Sequence, residues 1–158
     1  MMANPPAIGD PIPDIAMTAP DGSPIRPADF NGRKLVIFFY PKDDTPGCTT
    51  ENQEFSALAQ EFAAAGVAVL GVSKDPPARH QKFIAKYGLA VQLASDAAEG
   101  GLSDALGFWA EKQNYGRSYM GMVRSTVLVD AEGRIARIWP KVKAKGHAAE
   151  VLAAAQAG

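Results

Sequence analysis

Apolar runs and amphipathic stretches alternate along the first half of the chain. LVIFFY at 35–40 and VAVLGVS at 67–73 are short, continuous apolar runs, which are typical of strands buried on both faces. Between them, four apolar side chains recur with the spacing of an amphipathic helix that spans 49–65 and stops at Gly66: Phe55, Leu58, Ala59 and Phe62. Because two parallel strands need a long crossover connection, this alternation predicts a parallel pair joined by a helix.

Further helices and a hairpin follow in the second half of the chain. The predicted elements are a helix that Pro76 and Pro77 open and Gly88 ends, a short strand at 91–96, a short helix at 102–109, a hairpin at 126–139 that turns at Glu132-Gly133, and a closing helix at 147–156. The hairpin adds antiparallel strands to the parallel ones. The sequence therefore predicts an α/β protein of the thioredoxin-like fold, with a central mixed β-sheet flanked by helices.

The N-terminal segment has a different composition from the rest. Seven prolines fall within the first 30 residues, and the turn signal Asp21-Gly22 separates two short apolar patches. We expect a hairpin extension here, and a flexible arm at residues 1–7. Because 158 residues are enough to bury one substantial core, we expect a single domain that spans 1–158.

Charge and apolar patterning argue against several classes of function. The 16 basic and 17 acidic residues leave a net charge of -1, whereas a nucleic-acid-binding protein needs a clustered basic excess. We interpret the basic run KVKAK at 141–145 as a solvated surface segment. No run approaches the roughly 18 apolar residues of a membrane span, and the N-terminus lacks the pattern of a secretory signal. We therefore expect no nucleic acid, no membrane and a cytoplasmic location.

Cysteine and histidine usage narrows the chemistry. Cys48 is the only cysteine, so the chain cannot form an internal disulfide, and a lone thiol fits a reducing compartment. Neither of the two histidines, His80 and His147, lies at metal-ligand spacing from another histidine or cysteine. We expect neither a metal nor a bound cofactor.

The stretch PKDDTPGCTTENQEF at 41–55 places Cys48 at a helix N-terminus. Thr45 suits the N-cap and Pro46 the first helical position, so Cys48 should lie in the first turn. Unpaired backbone N–H groups and the helix dipole favour an anion there, and therefore a thiolate. A free cysteine is more often a small buried apolar residue, but this position after a buried strand favours an activated thiol.

The same stretch resembles the active-site loop of the peroxiredoxins, which are thiol peroxidases with the pattern P-x-x-x-T/S-x-x-C. Pro41, Thr45 and Cys48 fill that pattern, and YPKDDTPGCT is similar to the loop of the bacterioferritin-comigratory-protein (PrxQ) subfamily. The resemblance continues to the C-terminus through three further segments: GVSKD at 71–75, RSTVLVD at 124–130 and VKAKGHAAEVL at 142–152.

This resemblance implies a role for each residue of the loop. Cys48 would attack peroxide and become a sulfenic acid. The Thr45 hydroxyl and the backbone N–H groups near Gly47 and Cys48 would hold the peroxide, and Pro41 would shield the thiolate from water. Two partners outside the pattern complete the expected site: Arg124, which would stabilise the thiolate, and Glu51, which would orient Arg124 unless it serves only the helix dipole.

The chain departs from its subfamily at the resolving cysteine. Related proteins often carry a second cysteine five residues after the first, where this chain has Gln53, or in the next helix near Ile84. We therefore predict a one-cysteine cycle resolved by an external thiol, namely thioredoxin, glutaredoxin or a small thiol. A dimer joined through two copies of Cys48 is less natural for a pocketed thiol, and the resemblance indicates a monomer.

Two other functions are compatible with parts of the sequence. In the first, a thioredoxin-fold redox sensor or binding protein uses Cys48 only as a modifiable switch. In the second, the chain exchanges disulfides as thioredoxin does, which the lack of a C-x-x-C motif disfavours.

The capping box at Thr50–Gln53 offers the Cys48 helix a second possible start. We therefore predict that the first turn of this helix frays and exposes the oxidised thiol.

Overall fold

The structure is a computed structural model that describes residues 5–157, apart from the side chain of Asn114. The strands within that range are β1 (Met17–Thr18), β2 (Pro24–Ile25), β3 (Lys34–Phe39), β4 (Val67–Ser73), β5 (Gln92–Ser95), β6 (Trp109–Asn114), β7 (Arg117–Met122), β8 (Ser125–Val129) and β9 (Ile135–Trp139). The helices are α1 (Pro46–Ala57), α2 (Ala59–Ala64), α3 (Pro77–Tyr87), α4 (Leu102–Leu106) and α5 (His147–Ala157).

A mixed sheet with the order β2-β1-β5-β4-β3-β8-β9 forms the centre of the molecule. Strands β3, β4 and β5 are parallel neighbours. On the other side of β3, β8 and β9 pair antiparallel. The predicted hairpin around Asp21-Gly22 is confirmed, and β1 extends the sheet by pairing with β5. The thioredoxin-like fold with a mixed sheet flanked by helices is therefore confirmed.

The sheet has two buried faces with different coverings. The crossovers from β3 to β4 and from β4 to β5 run in the same direction, and right-handed connections therefore place α1, α2 and α3 on one face. Alternate side chains of β3 point to this face, where Phe38 stacks on Phe55 of α1 with ring centroids 4.2 Å apart. The opposite face packs against the N-terminal segment, a 3-10 turn at Pro27–Phe30 and α4.

The amphipathic stretch at 49–65 is helical, but not as one continuous helix. The helix begins at Pro46, as the Thr45 N-cap and Pro46 predict, and it is interrupted at Leu58, which separates α1 from α2. The Leu58 amide is shared between the carbonyl oxygens of Glu54 and Phe55, at 3.3 and 3.2 Å, so the turn tightens locally without a glycine or proline. Fraying of α1 from Pro46 towards Thr50 stays a prediction.

A second hairpin, β6–β7, has no counterpart in the predicted elements. The sequence placed Trp109 in a short helix, but α4 ends at Leu106 and Trp109 opens β6. The turn between the two strands consists of Tyr115 and Gly116, both with positive φ angles of 53° and 76°. Because most of this hairpin is exposed, its strands lack the apolar alternation that identifies a half-buried strand.

The expected arm at residues 1–7 is only partly within the described residues. Residues 1–4 lie outside them, so their flexibility stays a prediction. Within the described part, the Ala7 amide donates to the Asp10 carboxylate at 2.8 Å. None of the helices in residues 5–157 is both long and apolar enough to cross a membrane.

Candidate active site

The loop that joins β3 to α1 is held from two sides. At its start, the Tyr40 amide donates to the carbonyl oxygen of Val72 on β4 at 3.0 Å. Further along, Asp44 adopts a left-handed conformation with a φ angle of 61°, which aspartate tolerates better than most residues. The side chains of Lys86 and Tyr87 on α3 donate to the Asp44 carboxylate at 2.7 and 2.6 Å, and they fix this bend.

Cys48 lies in the first turn of α1, as predicted, and is 1% exposed. The Thr49 amide makes the first helical hydrogen bond, to the Thr45 carbonyl oxygen at 2.8 Å. The amides of Gly47 and Cys48 come before it and have no acceptor within the helix. These two N–H groups, together with the helix dipole, favour negative charge near the thiol.

Thr45 occupies the N-cap position, but its side chain has another role than capping. The hydroxyl donates to the Lys42 carbonyl oxygen at 2.8 Å, and within the described residues it makes no capping bond to α1. This hydrogen bond therefore links the start of α1 to the loop that precedes it. Pro41 is exposed at the beginning of the same loop, directly after the buried Tyr40.

Arg124 connects Cys48 to Glu51. It lies directly before β8, where its carbonyl oxygen accepts a hydrogen bond from the Val142 amide at 2.8 Å. Its Nη2 donates to Cys48 Sγ at 3.3 Å, and its Nη1 donates to Glu51 Oε1 at 2.6 Å. One planar guanidinium therefore contacts both groups, which a lysine could not do with the same geometry.

Burial has the largest single effect on the pKa values of Glu51 and Arg124. Loss of solvent raises the pKa of the Glu51 carboxyl to about 7, although the charge and the hydrogen bond of Arg124 act in the opposite direction. Burial also disfavours the charged form of Arg124, but the negative charges of Glu51 and Cys48 outweigh it and raise the pKa of the guanidinium. Glu51 Oε2 has no hydrogen-bond partner among residues 5–157, which adds to the cost of ionising Glu51.

Gly47 leaves room for the guanidinium. A Cβ atom at this position would lie 3.1 Å from Arg124 Nη2. That distance is tighter than an ordinary carbon–nitrogen contact, so an alanine would push the guanidinium away from the thiol. The sequence pattern Thr-Pro-Gly-Cys thus has a steric reason in addition to its turn propensity.

Lys112 on β6 is a charged neighbour of the site that sequence reasoning missed. Burial, followed by the charge of Arg124, lowers the pKa of Lys112, and the charge of Cys48 opposes that shift in part. A groove of about 470 Å³ opens between the β6–β7 hairpin and the segment after β9. Its lining includes Lys112, Tyr119, Val123, Arg124, Lys141 and Val142.

Among the described residues, no three His, Cys, Asp or Glu side chains are close enough together to hold a metal ion. The arrangement places the Cys48 sulfur beside a fixed cation and two backbone N–H donors. A nucleophile of this kind suits attack on a small, polarisable bond at the helix terminus.

Comparison with known proteins places this geometry in a family. Residues 8–138 match the model of the AhpC/TSA family. The chain is 42% identical over 145 residues to a Bacillus subtilis protein named peroxiredoxin Bcp. This alignment covers 92% of each of the two chains. It superposes on a solved structure of Xanthomonas campestris peroxiredoxin Q with a TM-score of 0.85, at 45% identity and 90% coverage of each chain.

A second Xanthomonas campestris structure is described as an alkyl-peroxide-reducing bacterioferritin comigratory protein in trapped intermediate and ligand complexes. It matches with a TM-score of 0.85 at 41% identity, over 94% of this chain and 98% of that one. Fold, site and comparisons together define a thiol-dependent peroxidase, and the chain belongs to the AhpC/TSA family. Within that family it is a peroxiredoxin of the Bcp, or PrxQ, type, with a single cysteine.

Proposed function

We propose that Cys48 is the peroxidatic nucleophile of this chain, and that Thr45, Gly47, Arg124 and Pro41 form its peroxide site. The observation that carries the proposal is the hydrogen bond from Arg124 Nη2 to Cys48 Sγ at 3.3 Å, made at the N-terminus of α1. A permanently charged donor beside the sulfur stabilises the thiolate and does not compete with it for a proton.

The first step converts the thiolate to a sulfenic acid. The sulfur lone pair attacks one oxygen of the peroxide, so that an S–O bond forms and the O–O bond breaks. The second oxygen leaves with the bonding electron pair and takes up a proton to become water or an alcohol. In this step the sulfur is oxidised by two electrons and the peroxide is reduced by two.

Each neighbouring group has a part in that step. The Arg124 guanidinium and the amides of Gly47 and Cys48 offer N–H donors to negative charge as it moves from sulfur to the leaving oxygen. The Thr45 hydroxyl, which lies one turn before the thiol, positions the peroxide in line with the sulfur. Glu51 accepts the 2.6 Å hydrogen bond from Arg124 Nη1 and thereby holds the guanidinium in place.

An external thiol completes the cycle. Attack by its sulfur on the sulfenic acid releases water and leaves a mixed disulfide, and a second thiol then frees Cys48. The serine variants of the Xanthomonas campestris protein replace one or the other of two different cysteines, whereas this chain has only Cys48. We infer that thioredoxin, glutaredoxin or a small thiol supplies the resolving sulfur.

Hydrogen peroxide and small organic hydroperoxides are the proposed substrates. The relative described above reduces alkyl peroxides, and the groove that Arg124 helps to line gives an alkyl substituent a place beside the guanidinium. We further propose that the chain acts as a monomer in the cytoplasm. A role as a redox sensor is less favoured, since a switch has less need of groups that position peroxide.

Steady-state turnover tests this proposal. Peroxide consumption is followed with purified protein and three reductants in parallel: thioredoxin with its reductase, glutaredoxin with glutathione, and dithiothreitol. We expect catalysis by the wild type with at least one reductant and none by Cys48→Ser. Turnover by Cys48→Ser equal to wild type would exclude Cys48 as the nucleophile.

A further inference from the structure

A buried network of hydrogen bonds lies under the loop that precedes Cys48. Asp43 and His80 are both 0% exposed. The Asp43 carboxylate accepts a hydrogen bond from Tyr40 Oη at 2.6 Å on one oxygen and meets His80 Nδ1 at 2.6 Å on the other. His80 Nε2 lies 3.1 Å from the carbonyl oxygen of Ala94 on β5. Asp43 is thus linked directly to Tyr40, which follows β3, and to His80 on α3, and through His80 to β5.

The partners of His80 determine where its protons lie. A carbonyl oxygen can only accept, so Nε2 carries a hydrogen and donates it to Ala94. Burial and the charge of Asp43 raise the pKa of Tyr40 well above its ordinary value, which keeps its hydroxyl a donor to the same carboxylate. The carboxylate is therefore left to accept from Nδ1 as well. Both ring nitrogens of His80 therefore face oxygen atoms, and the 2.6 Å contact between Nδ1 and the Asp43 carboxyl is fully buried.

The polar and charged groups around Asp43 and His80 also have hydrogen-bond or ion-pair partners. The Asp43 amide donates to Asp75 Oδ2 at 2.9 Å, and Ser73 Oγ donates to the same oxygen at 2.7 Å. Arg79 pairs with Asp75 at 3.3 Å and approaches the Asp43 carbonyl oxygen at 3.5 Å. Asp43 is therefore fixed through its side chain and its backbone at once. A buried pair of this kind is costly unless every atom is satisfied, as it is here.

The network determines where α1 begins. Asp43 lies two residues before Thr45 and five before Cys48, and the Thr45 hydroxyl bonds back to Lys42, the neighbour of Asp43. A displacement of Asp43 would therefore be passed to the hydroxyl and the amides that face the peroxide. Attack geometry is sensitive to shifts of about 1 Å, so the loop needs a rigid support.

We propose that His80 is a positioning residue for peroxide reduction, which holds Asp43 and thereby the Thr45 and Cys48 end of the loop. This proposal rests on the proposed function of Cys48. His80 lies outside the peroxide site and acts only through Asp43. The side chain is not replaceable by an apolar residue of similar size, because Asp43 would then keep a buried charge without its partner.

Two substitutions of His80 separate positioning from general stability. The side-chain amide of Asn reaches about as far as Nδ1, whereas that of Gln reaches about as far as Nε2. His80→Asn keeps the donor to Asp43 and loses the donor to Ala94, and His80→Gln does the reverse. Each loses one buried hydrogen bond, and His80→Gln also leaves the Asp43 carboxyl without its partner, so its melting temperature should fall further. The rates are therefore compared at a temperature at which both variants are folded.

The measurement is the second-order rate constant for oxidation of Cys48 by hydrogen peroxide in stopped flow. We expect His80→Asn to stay within about 3-fold of wild type and His80→Gln to be slower by about 30-fold, because only the second leaves Asp43 unsupported. Equal rates in the two variants would overturn the proposal. The matched control is His147→Asn, which replaces the other histidine and should leave the rate near that of wild type.

A spectroscopic measurement on the wild type tests the network without any substitution. The ¹H and ¹⁵N shifts of the ring show whether each nitrogen takes part in a hydrogen bond. We expect His80 to show a short hydrogen bond between Nδ1 and the Asp43 carboxyl and a donated N–H at Nε2. A His80 ring with no hydrogen bond at Nδ1 would overturn the proposal even if both variants failed to fold. Slow oxidation of the wild type would instead count against the proposed function, and the NMR result would still stand.

Discussion

Arg124 Nη2 donates a hydrogen bond to Cys48 Sγ over 3.3 Å, although the two residues are 76 positions apart in the chain. Cys48 is brought to this point by the start of α1, and Arg124 by the residue before β8. Because β3 and β8 are hydrogen-bonded neighbours, the two segments meet at the same end of the sheet. The proposed peroxidase chemistry depends on this contact.

Replacing Arg124 with lysine should separate charge from geometry. Lysine keeps the positive charge, but its ammonium cannot donate to both Cys48 and Glu51 in the manner of a planar guanidinium. We expect Arg124→Lys to slow oxidation of Cys48 by about 30-fold, which corresponds to the loss of one charged hydrogen bond of about 2 kcal/mol. Arg117→Lys, an exposed arginine on β7, is the control. A wild-type rate in Arg124→Lys would show that charge alone is sufficient.

The Gly47→Ala substitution should act through Arg124. The new Cβ would lie 3.1 Å from Arg124 Nη2 and displace it from the sulfur. We expect oxidation of Cys48 about 10-fold slower, with a small change in stability because the position is exposed. In an Arg124→Ala background the same substitution should have little further effect on the rate. Additive effects of the two substitutions would contradict a steric action on the guanidinium.

Glu51 should make stability depend on pH. In the unfolded chain its carboxyl ionises near 4.5, whereas in the folded protein burial raises the pKa to about 7. Between these values the unfolded state has lost the proton and the folded state retains it, so rising pH favours unfolding. The loss begins near pH 4.5, reaches up to about 3 kcal/mol at pH 7, and does not grow further above that.

The Glu51→Gln variant isolates this effect. Glutamine has no charge to bury, so its free energy of unfolding, relative to wild type, should rise as pH increases from 4.5 to 7. Urea unfolding at a series of pH values measures the difference. Glu61→Gln, an exposed glutamate on α2, is the control. A difference that is constant across this range would show that Arg124 keeps Glu51 ionised throughout.

Thr45 should act through its hydroxyl. Thr45→Val keeps the shape of the side chain and removes the bond to the Lys42 carbonyl oxygen, whereas Thr45→Ser keeps the hydroxyl. We expect Val to slow oxidation of Cys48 by about 10-fold or more and Ser to restore most of the rate. Stopped-flow kinetics with hydrogen peroxide measure both variants. A slow Ser variant with a fast Val variant would exclude a role for the hydroxyl.

A new cysteine at position 84 should convert the one-cysteine cycle to a two-cysteine cycle. Ile84 is half-buried on α3 and packs against the apolar cluster that contains Cys48. We expect Ile84→Cys to form an intramolecular disulfide after one equivalent of peroxide, detected by mass spectrometry and thiol titration. Ala85→Cys, at the exposed neighbouring position of the same helix, should leave the sulfenic acid unresolved. Identical products from the two variants would argue against opening of the Cys48 loop towards α3.

Much of the fold was predictable because local patterns and burial agree. The apolar runs at 35–40 and 67–73 became central strands β3 and β4, and the glycine at 88 ends α3 in a left-handed conformation. The β6–β7 hairpin was missed because its exposed residues carry no apolar alternation. The break at Leu58 was missed because no glycine or proline marks it.

The site was predictable only in part from local sequence. The first-turn position of Cys48 follows from Thr45 and Pro46, but the contact with Arg124 was expected only through the resemblance to a family. His80 lies on the buried face of α3, and the local sequence alone predicts only a hydrogen-bonded core residue there. Its contact with Asp43 joins residues 37 positions apart, and such contacts are determined by the packing of α3 against the loop rather than by either local pattern.

Single-turnover oxidation of reduced wild-type protein by one equivalent of hydrogen peroxide tests the role of Cys48 most directly. Stopped flow follows the rate, and mass spectrometry locates the product. We expect Cys48 to gain one oxygen atom at least about 1,000-fold faster than a free thiol, since preorganised donors of this kind supply rate factors of that size. Oxidation of Cys48 no faster than that of free cysteine would contradict the assignment of Cys48 as the peroxidatic thiol.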